Sequence, residues 1–500
     1  MTRSNNNLAF HTAFTCLYIL FLLVKYSSPQ MVAYLYNAGH FDILNLLSRS
    51  SGQQNLYFYW GMAEDMAFGP LSSLIAGVVF MLIGLKYLVG SPLRTYVVAI
   101  LVYFIVTRPE VLFYPPYGDT FTGPFSGAIW LLRHDFDYIG YLKQPSFILG
   151  GPRIYEFSLF PLLLAILLKI TVTPEIFLFV SHLFVFFAAA VTVALFRSIL
   201  ANFFDARTAF LGSLVLLFFP LFQSMSELIN MEMACTVFAV AAVYWVLRRQ
   251  FALASWAAIA SLLMKAPGGI ACAFVLISSL LVAIIEPKRT TRLTDIAWGV
   301  VAFVSAAVSF YLRQMFLGAQ VSHNTVSPLV GLNLLKINAL SWVYLYVFVS
   351  FIIFIAARMI RSGKFWDVLR QYIDPLLIFI MGSLWFVLYS SFSSSIYRYE
   401  LLLMPFYFFA LIFMAMSIFG QTPIVRLGML CGTPNYYCYG SFSAYPIHQK
   451  AKAKPKNNKN RRQYGCRIIK NIVLKRLCFP CPWLKDGKKA GKKYGCRDAP

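Results

Sequence analysis

Residues 251–285 read FALASWAAIASLLMKAPGGIACAFVLISSLLVAII. Two apolar runs, 251–264 and 268–285, are divided by Lys265-Ala266-Pro267-Gly268-Gly269. Pro and Gly punctuate a chain that would otherwise stay helical. Lys265 is the one charged side chain in the whole stretch. Each run is too apolar to need a polar face, so each reads as a helix solvated by lipid or by other helices. The stretch is a helical hairpin that turns at a membrane surface.

The rest of the chain agrees. Of 500 residues 59% are hydrophobic and 12% are charged, about half the charged share of ~25% usual in globular domains. The mean hydropathy is +0.68. Protein interiors grow too slowly with chain length to hold that much apolar surface. A soluble enzyme, a disordered scaffold and a secreted disulfide-stapled domain are therefore excluded.

A bilayer core of ~30 Å takes roughly 20 apolar helical residues. Twelve windows meet or approach that need: 8–26, 70–89, 93–107, 174–196, 208–222, 233–247, 251–264, 268–285, 295–312, 338–357, 373–391 and 400–418. The first lacks the small-residue cleavage site of a signal peptide and reads as a retained helix. Residues 157–170 (FSLFPLLLAILLKI) are short for a span and read as a helix lying on the outer face. The other reading is a thirteenth span, which would reverse the sidedness of every later loop. The expected fold class is thus an all-α polytopic membrane protein, with about 12 transmembrane helices and a large outer loop carrying juxtamembrane helices.

Charge tests the map. With a cytosolic N-terminus, the inner loops hold thirteen basic residues against five acids, and the outer loops ten against twelve. That is the positive-inside pattern. Both termini are expected in the cytosol. The net charge of +24 is concentrated in residues 450–500, which carry 17 Lys and Arg against Asp486 and Asp498. Such a tail is drawn to anionic headgroups at about 1 kcal/mol per basic residue. Membrane lipids are its expected partner rather than nucleic acid. Six of the nine cysteines lie in the last 70 residues and none in an outer loop, so no disulfide framework is implied. Tail cysteines remain open as zinc ligands or palmitoylation sites.

The chemistry-bearing residues face outward. The longest outer loop, 108–173, holds Asp119, His134, Asp135, Asp137, Arg153 and Glu156. Pro115, Pro116, Gly118, Gly123 and Pro124 flank Asp119, which suits a rigid turn presenting a carboxylate. Such a carboxylate serves as general base or ligand, or merely caps the next helix. Residues 125–133 read as a short amphipathic helix ending near His134. A second outer loop, 223–232 (QSMSELINME), presents Glu227 and Glu232. Acids this close to hydrocarbon are functional candidates, or else solvated loop charges. Lys265 grips a phosphate or snorkels. Arg398, followed by Tyr399, offers a bidentate phosphate contact or decorates an interfacial belt. Phosphate-binding P-loop, serine-elbow and HExxH motifs are missing from the sequence.

The order of these features resembles the GT-C glycosyltransferases, in the RgtA/B/C/D-like branch akin to protein O-mannosyltransferases and lipid A aminoarabinose transferases. The resemblance runs over about 93–418. It rests on Tyr117-Gly118-Asp119 after a span, then His134-Asp135 closing a short helix. Gly151, Pro152 and Tyr155 follow ahead of an apolar helix. Next come an acid at Glu227 or Glu232, Lys265-Ala266-Pro267-Gly268, and Arg398-Tyr399 entering a last helix that contains Pro405. The sequence departs from that pattern at Thr120, where the family often has a second acid, and in residues 1–92, which add two spans.

By this likeness the chain divides into a two-span segment (1–92), a catalytic transmembrane domain (93–420) and a basic tail (421–500). It would move a sugar from a polyprenyl- or dolichyl-phosphate donor to a lipid, glycan or protein acceptor. The location would be the endoplasmic reticulum or a bacterial plasma membrane. Asp119 would be the general base, and Lys265 and Arg398 would hold the phosphate leaving group. Glu227 or Glu232 would place the acceptor or a divalent metal, which the sequence does not require. His134, Asp135, Arg153 and Tyr399 would line the substrate site. The rival reading is a multipass transporter or flippase for a lipid-linked or small anionic substrate.

Overall fold

A computed structural model of the chain describes residues 69–113, 121–143, 158–171, 173–287, 289–317, 339–390 and 401–418. Window 8–26, most of the 1–92 segment and the 421–500 tail lie outside the described residues.

Among the described residues the fold is helical throughout. The long elements are α1 (Gly69–Tyr87) and α2 (Leu93–Thr107). Three short helices follow: α3 (Ser126–Arg133), α4 (Tyr138–Lys143) and α5 (Phe160–Ile170). Then come α6 (Pro174–Leu200), α7 (Ala206–Leu217), α8 (Pro220–Glu227), α9 (Met231–Leu247) and α10 (Phe251–Met264). The chain continues through α11 (Gly269–Ile285), α12 (Arg292–Leu317), α13 (Ala339–Ser362), α14 (Phe365–Ser390) and α15 (Met404–Ile418).

Local sequence sets the helix starts. Thr173 caps α6 by accepting from the Ile176 amide, with Pro174 at the first position and Glu175 in the first turn. Asp205 caps α7 through the Thr208 amide at 2.6 Å, and Asn230 caps α9 through the Met231 amide at 2.7 Å. At the end of α13, Gly363 takes a positive φ of 64°, which costs glycine little, and donates to the Met359 carbonyl.

Among the described residues, four segments are long and apolar enough to cross a membrane: 174–200, 266–285, 292–312 and 342–362. They mark a membrane protein. α2, α5, α9, α10 and α15 are shorter apolar helices. At 11 residues α5 is about 16 Å long, which does not reach across a ~30 Å core. The expected span at 208–222 is two helices, α7 and α8, bent by 65°.

The main core is built round α6, which packs on α2, α7 and α9. The α9–α10 hairpin lies against α11 and α12. On the far side α13, α14 and α15 close the bundle with interlocked rings, Phe351 and Phe379 at 5.1 Å and Phe379 and Phe409 at 5.7 Å. α12 and α13 turn large apolar side chains outward, among them Val304, Val308, Tyr346 and Ile353. Water would penalise that surface, whereas lipid leaves it at no cost.

A second, smaller core joins α3, α4 and α5 to the starts of α6 and α9 through Trp130, Leu131, Tyr141, Phe160, Phe177 and Met231. It caps one end of the bundle. The opposite end is tied by arginines. Arg249 donates to Glu286 at 2.9 Å and reaches Asp374 at 2.8 Å, linking the α9–α10 turn to α11 and α14. Arg289 binds Asp295 and the Arg249 carbonyl, both at 2.6 Å. Arg370 donates to the Ile285 carbonyl, and Arg197 to the Leu88 carbonyl and to Ser91. Burial opposes the charge on Arg249, but the carboxylates of Asp374 and Glu286 outweigh it and hold the guanidinium above its ordinary pKa.

Candidate functional site

Among the described residues, the capped end holds the two most deeply buried charges, Glu232 and Lys265. Asn230 starts α9, which places Glu232 in the first turn at 1% exposure. α10 ends at Met264 because Lys265 turns extended (φ −155°, ψ 138°) ahead of Pro267. Its side chain folds inward at 3% exposure, and its Nζ donates to Glu232 Oε1 at 2.6 Å. One helical turn deeper, Ser261 donates to the Cys235 carbonyl at 2.9 Å. α9 and α10 are thus cross-linked by two polar rungs.

The turn after Lys265 is tight. Gly268 donates its amide to the Lys265 carbonyl at 2.8 Å. Its Cα lies so close to the Ser261 and Leu262 backbone that an added Cβ would overlap it.

The cap is tethered to the same place. The last carbonyls of a helix lack partners within it. At α10 they are met from the cap: Leu159 donates its amide to the Leu263 carbonyl at 2.7 Å, and Ser158 donates its hydroxyl to the Met264 carbonyl. Tyr138 of α4 donates to the Ser158 carbonyl at 2.7 Å. Burial pushes the Tyr138 phenol's pKa up, so it stays protonated and remains a donor.

A second acid–cation pair joins Arg108, just past α2, to Glu227 at the end of α8. Both side chains are mostly buried, at 14% and 16% exposure. Nearby, the Gln223 amide donates to the Leu217 carbonyl across the α7–α8 bend.

The sequence-expected residues divide accordingly. Glu232 and Lys265 are brought together. Glu227 goes to Arg108, which sequence reasoning did not nominate. Its signal was its place as a charge directly at the end of an apolar run. Residues 223–232 are not the loop expected of them: the helix runs to Glu227 and the next begins at Met231. Short amphipathic helix α3 does close near His134 as its pattern indicates. His134 and Asp135 lie on the exposed surface of the cap. There the His134 ring stacks on Trp130 at 4.0 Å and its Nδ1 lies 2.9 Å from the Trp130 carbonyl oxygen. Asp135 and Phe136 take positive φ values of 50° and 63° as the chain reverses. Asp119, Arg153, Arg398 and Tyr399 lie outside the described residues.

Among the described residues, no three His, Cys, Asp or Glu side chains are grouped as metal ligands. No family model, curated protein or solved structure matches this chain.

Proposed function

We propose that the protein is a membrane glycosyltransferase that moves a sugar from a polyprenyl- or dolichyl-phosphate donor to an acceptor on the luminal or periplasmic face. The observation that carries this is the Glu232–Lys265 pair, with its charges at 2.6 Å and almost wholly buried at the capped end of an apolar bundle. A buried ion pair contributes little net stability, because desolvation cancels most of the attraction. Its retention near hydrocarbon therefore points to use.

The resemblance to GT-C enzymes supplies the roles. Displacement at the anomeric carbon requires a base on one side and charge stabilisation of the departing phosphate on the other. Asp119 is the base that takes the acceptor's proton. Lys265 and Arg398 bind the phosphate, and Glu232 or Glu227 positions the acceptor. The donor reaches the site by lateral diffusion in the bilayer. The capped end faces the lumen or periplasm, and the arginine-tied end faces the cytosol in accord with the positive-inside rule.

A transporter or flippase is the second reading, favoured by the 65° break between α7 and α8, since broken helices line many transport sites. Against it, Glu232 and Lys265 sit at helix ends rather than mid-helix.

Incubation of the purified protein with radiolabelled dolichyl- and undecaprenyl-phosphate sugars tests the proposal. Label should pass to an acceptor, and Asp119→Asn should abolish that transfer with expression and thermal stability unchanged. Wild-type turnover in Asp119→Asn removes Asp119 from the mechanism. Movement of label across proteoliposomes without transfer supports the transporter.

A further inference from the structure

We infer that Glu232 is a built-in stand-in for the substrate's phosphate: it occupies Lys265 while the site is empty, and an entering phosphate headgroup displaces it. This rests on the reading of Lys265 as a phosphate-binding side chain.

The geometry asks for such a role. Lys265 Nζ donates to Glu232 Oε1 at 2.6 Å, a short charge-assisted contact. At 3% exposure the ammonium has too little water around it to stand alone, so the empty site needs an internal anion. A phosphate carries equal or greater negative charge and prefers the same cation. Both anions on one ammonium in a poorly solvated space repel each other, so the two states exclude one another.

Two local features favour the exchange. The turn after Lys265, Ala266-Pro267-Gly268-Gly269, adds no long side chain of its own, and the Phe310 ring lies beside Gly269. Glu232 is in the first turn of α9, where the helix dipole stabilises its carboxylate after release. Glu227 is already held by Arg108 and does not compete for Lys265. Displacement then delivers a freed carboxylate at the site only after the donor has bound. Donor binding precedes and enables acceptor placement.

An internal competitor lowers apparent affinity by the fraction of sites it leaves open. The experiment measures binding of farnesyl phosphate, and separately of inorganic phosphate, to the full-length protein in neutral-lipid nanodiscs. Glu232→Gln should bind farnesyl phosphate about tenfold more tightly than wild type, because the neutral amide competes poorly. Glu232→Asp, whose shorter arm keeps the charge but loosens the grip, should fall between them. Lys265→Gln should bind at least about tenfold more weakly. Farnesyl phosphate responding alone identifies a lipid headgroup; equal responses to both probes identify phosphate itself. Unchanged or weakened binding in Glu232→Gln and Glu232→Asp overturns the inference, whatever the sugar-transfer assay reports. Tighter binding in both with no sugar transfer upholds it and defeats only the glycosyltransferase reading.

Discussion

Ser158 donates its hydroxyl to the carbonyl oxygen of Met264, fastening the cap to the residue that precedes Lys265. The bond crosses 106 positions of sequence and meets a helix-end carbonyl with no partner inside its own helix. Ser158→Ala should cost about 1 kcal/mol. Its effect should be local: hydrogen exchange should accelerate over 158–170 and stay unchanged in α6. Uniform acceleration through the bundle would contradict a local tether.

The Glu232–Lys265 pair separates stability from activity. Removing one partner strands a buried charge, so Glu232→Leu or Lys265→Met alone should destabilise by roughly 3–5 kcal/mol. The double variant replaces the pair by apolar side chains of similar volume and should recover most of that loss. It should remain inactive in sugar transfer. Additive single losses in thermal unfolding would mean that the two residues are not coupled.

Gly268 has no room for a side chain against the Ser261 and Leu262 backbone. Gly268→Ala must push the turn away from α10, at about 1–3 kcal/mol. The displaced turn carries Lys265, so donor binding should weaken along with stability. A melting temperature equal to wild type would show that the turn has slack.

Arg249 is 9% exposed, whereas Glu286 and Asp374 keep 29% and 40% exposure. The two acids can rehydrate when the guanidinium is removed, so Arg249→Met should cost about 2 kcal/mol rather than the full penalty of a buried pair. Arg249→Lys should restore less than half, since one ammonium cannot reproduce a planar fork that serves two carboxylates. Thermal unfolding in nanodiscs reads both, and equal midpoints for Lys and Arg would argue against the fork.

The helices were legible because apolar runs and their punctuation are local properties. The 251–285 hairpin turns where Pro267 and Gly268 say it must, and α3 stops at His134. The partners were not legible. Glu232 and Lys265 are 33 positions apart, and Glu227 and Arg108 meet only because α2 and α8 both pack on α6. The polar composition of QSMSE suggested a loop, yet Phe222 and Met225 are buried on one face while Ser224 faces out. A short amphipathic helix resembles a loop when its apolar face has only two members. Arg249 reads in sequence as one more cytosolic charge. Its role as a buried hub depends on a positive φ of 58° that its residue type does not announce.

The Glu232–Lys265 pair joins two short helices. α9 and α10 have 17 and 14 residues, about 21–26 Å of length, while α6, which packs on α9, has 27 residues and measures about 40 Å. Lipid beside α10, whose Leu253 and Trp256 face outward, must thin to match it, at a modest cost per ångström. The bilayer surface then dips beside the pair, forming a local depression. On the proposed glycosyltransferase reading, a lipid carrier drifting into that hollow would be lowered toward Lys265 without leaving its leaflet, and the membrane's own shape would do part of the delivery.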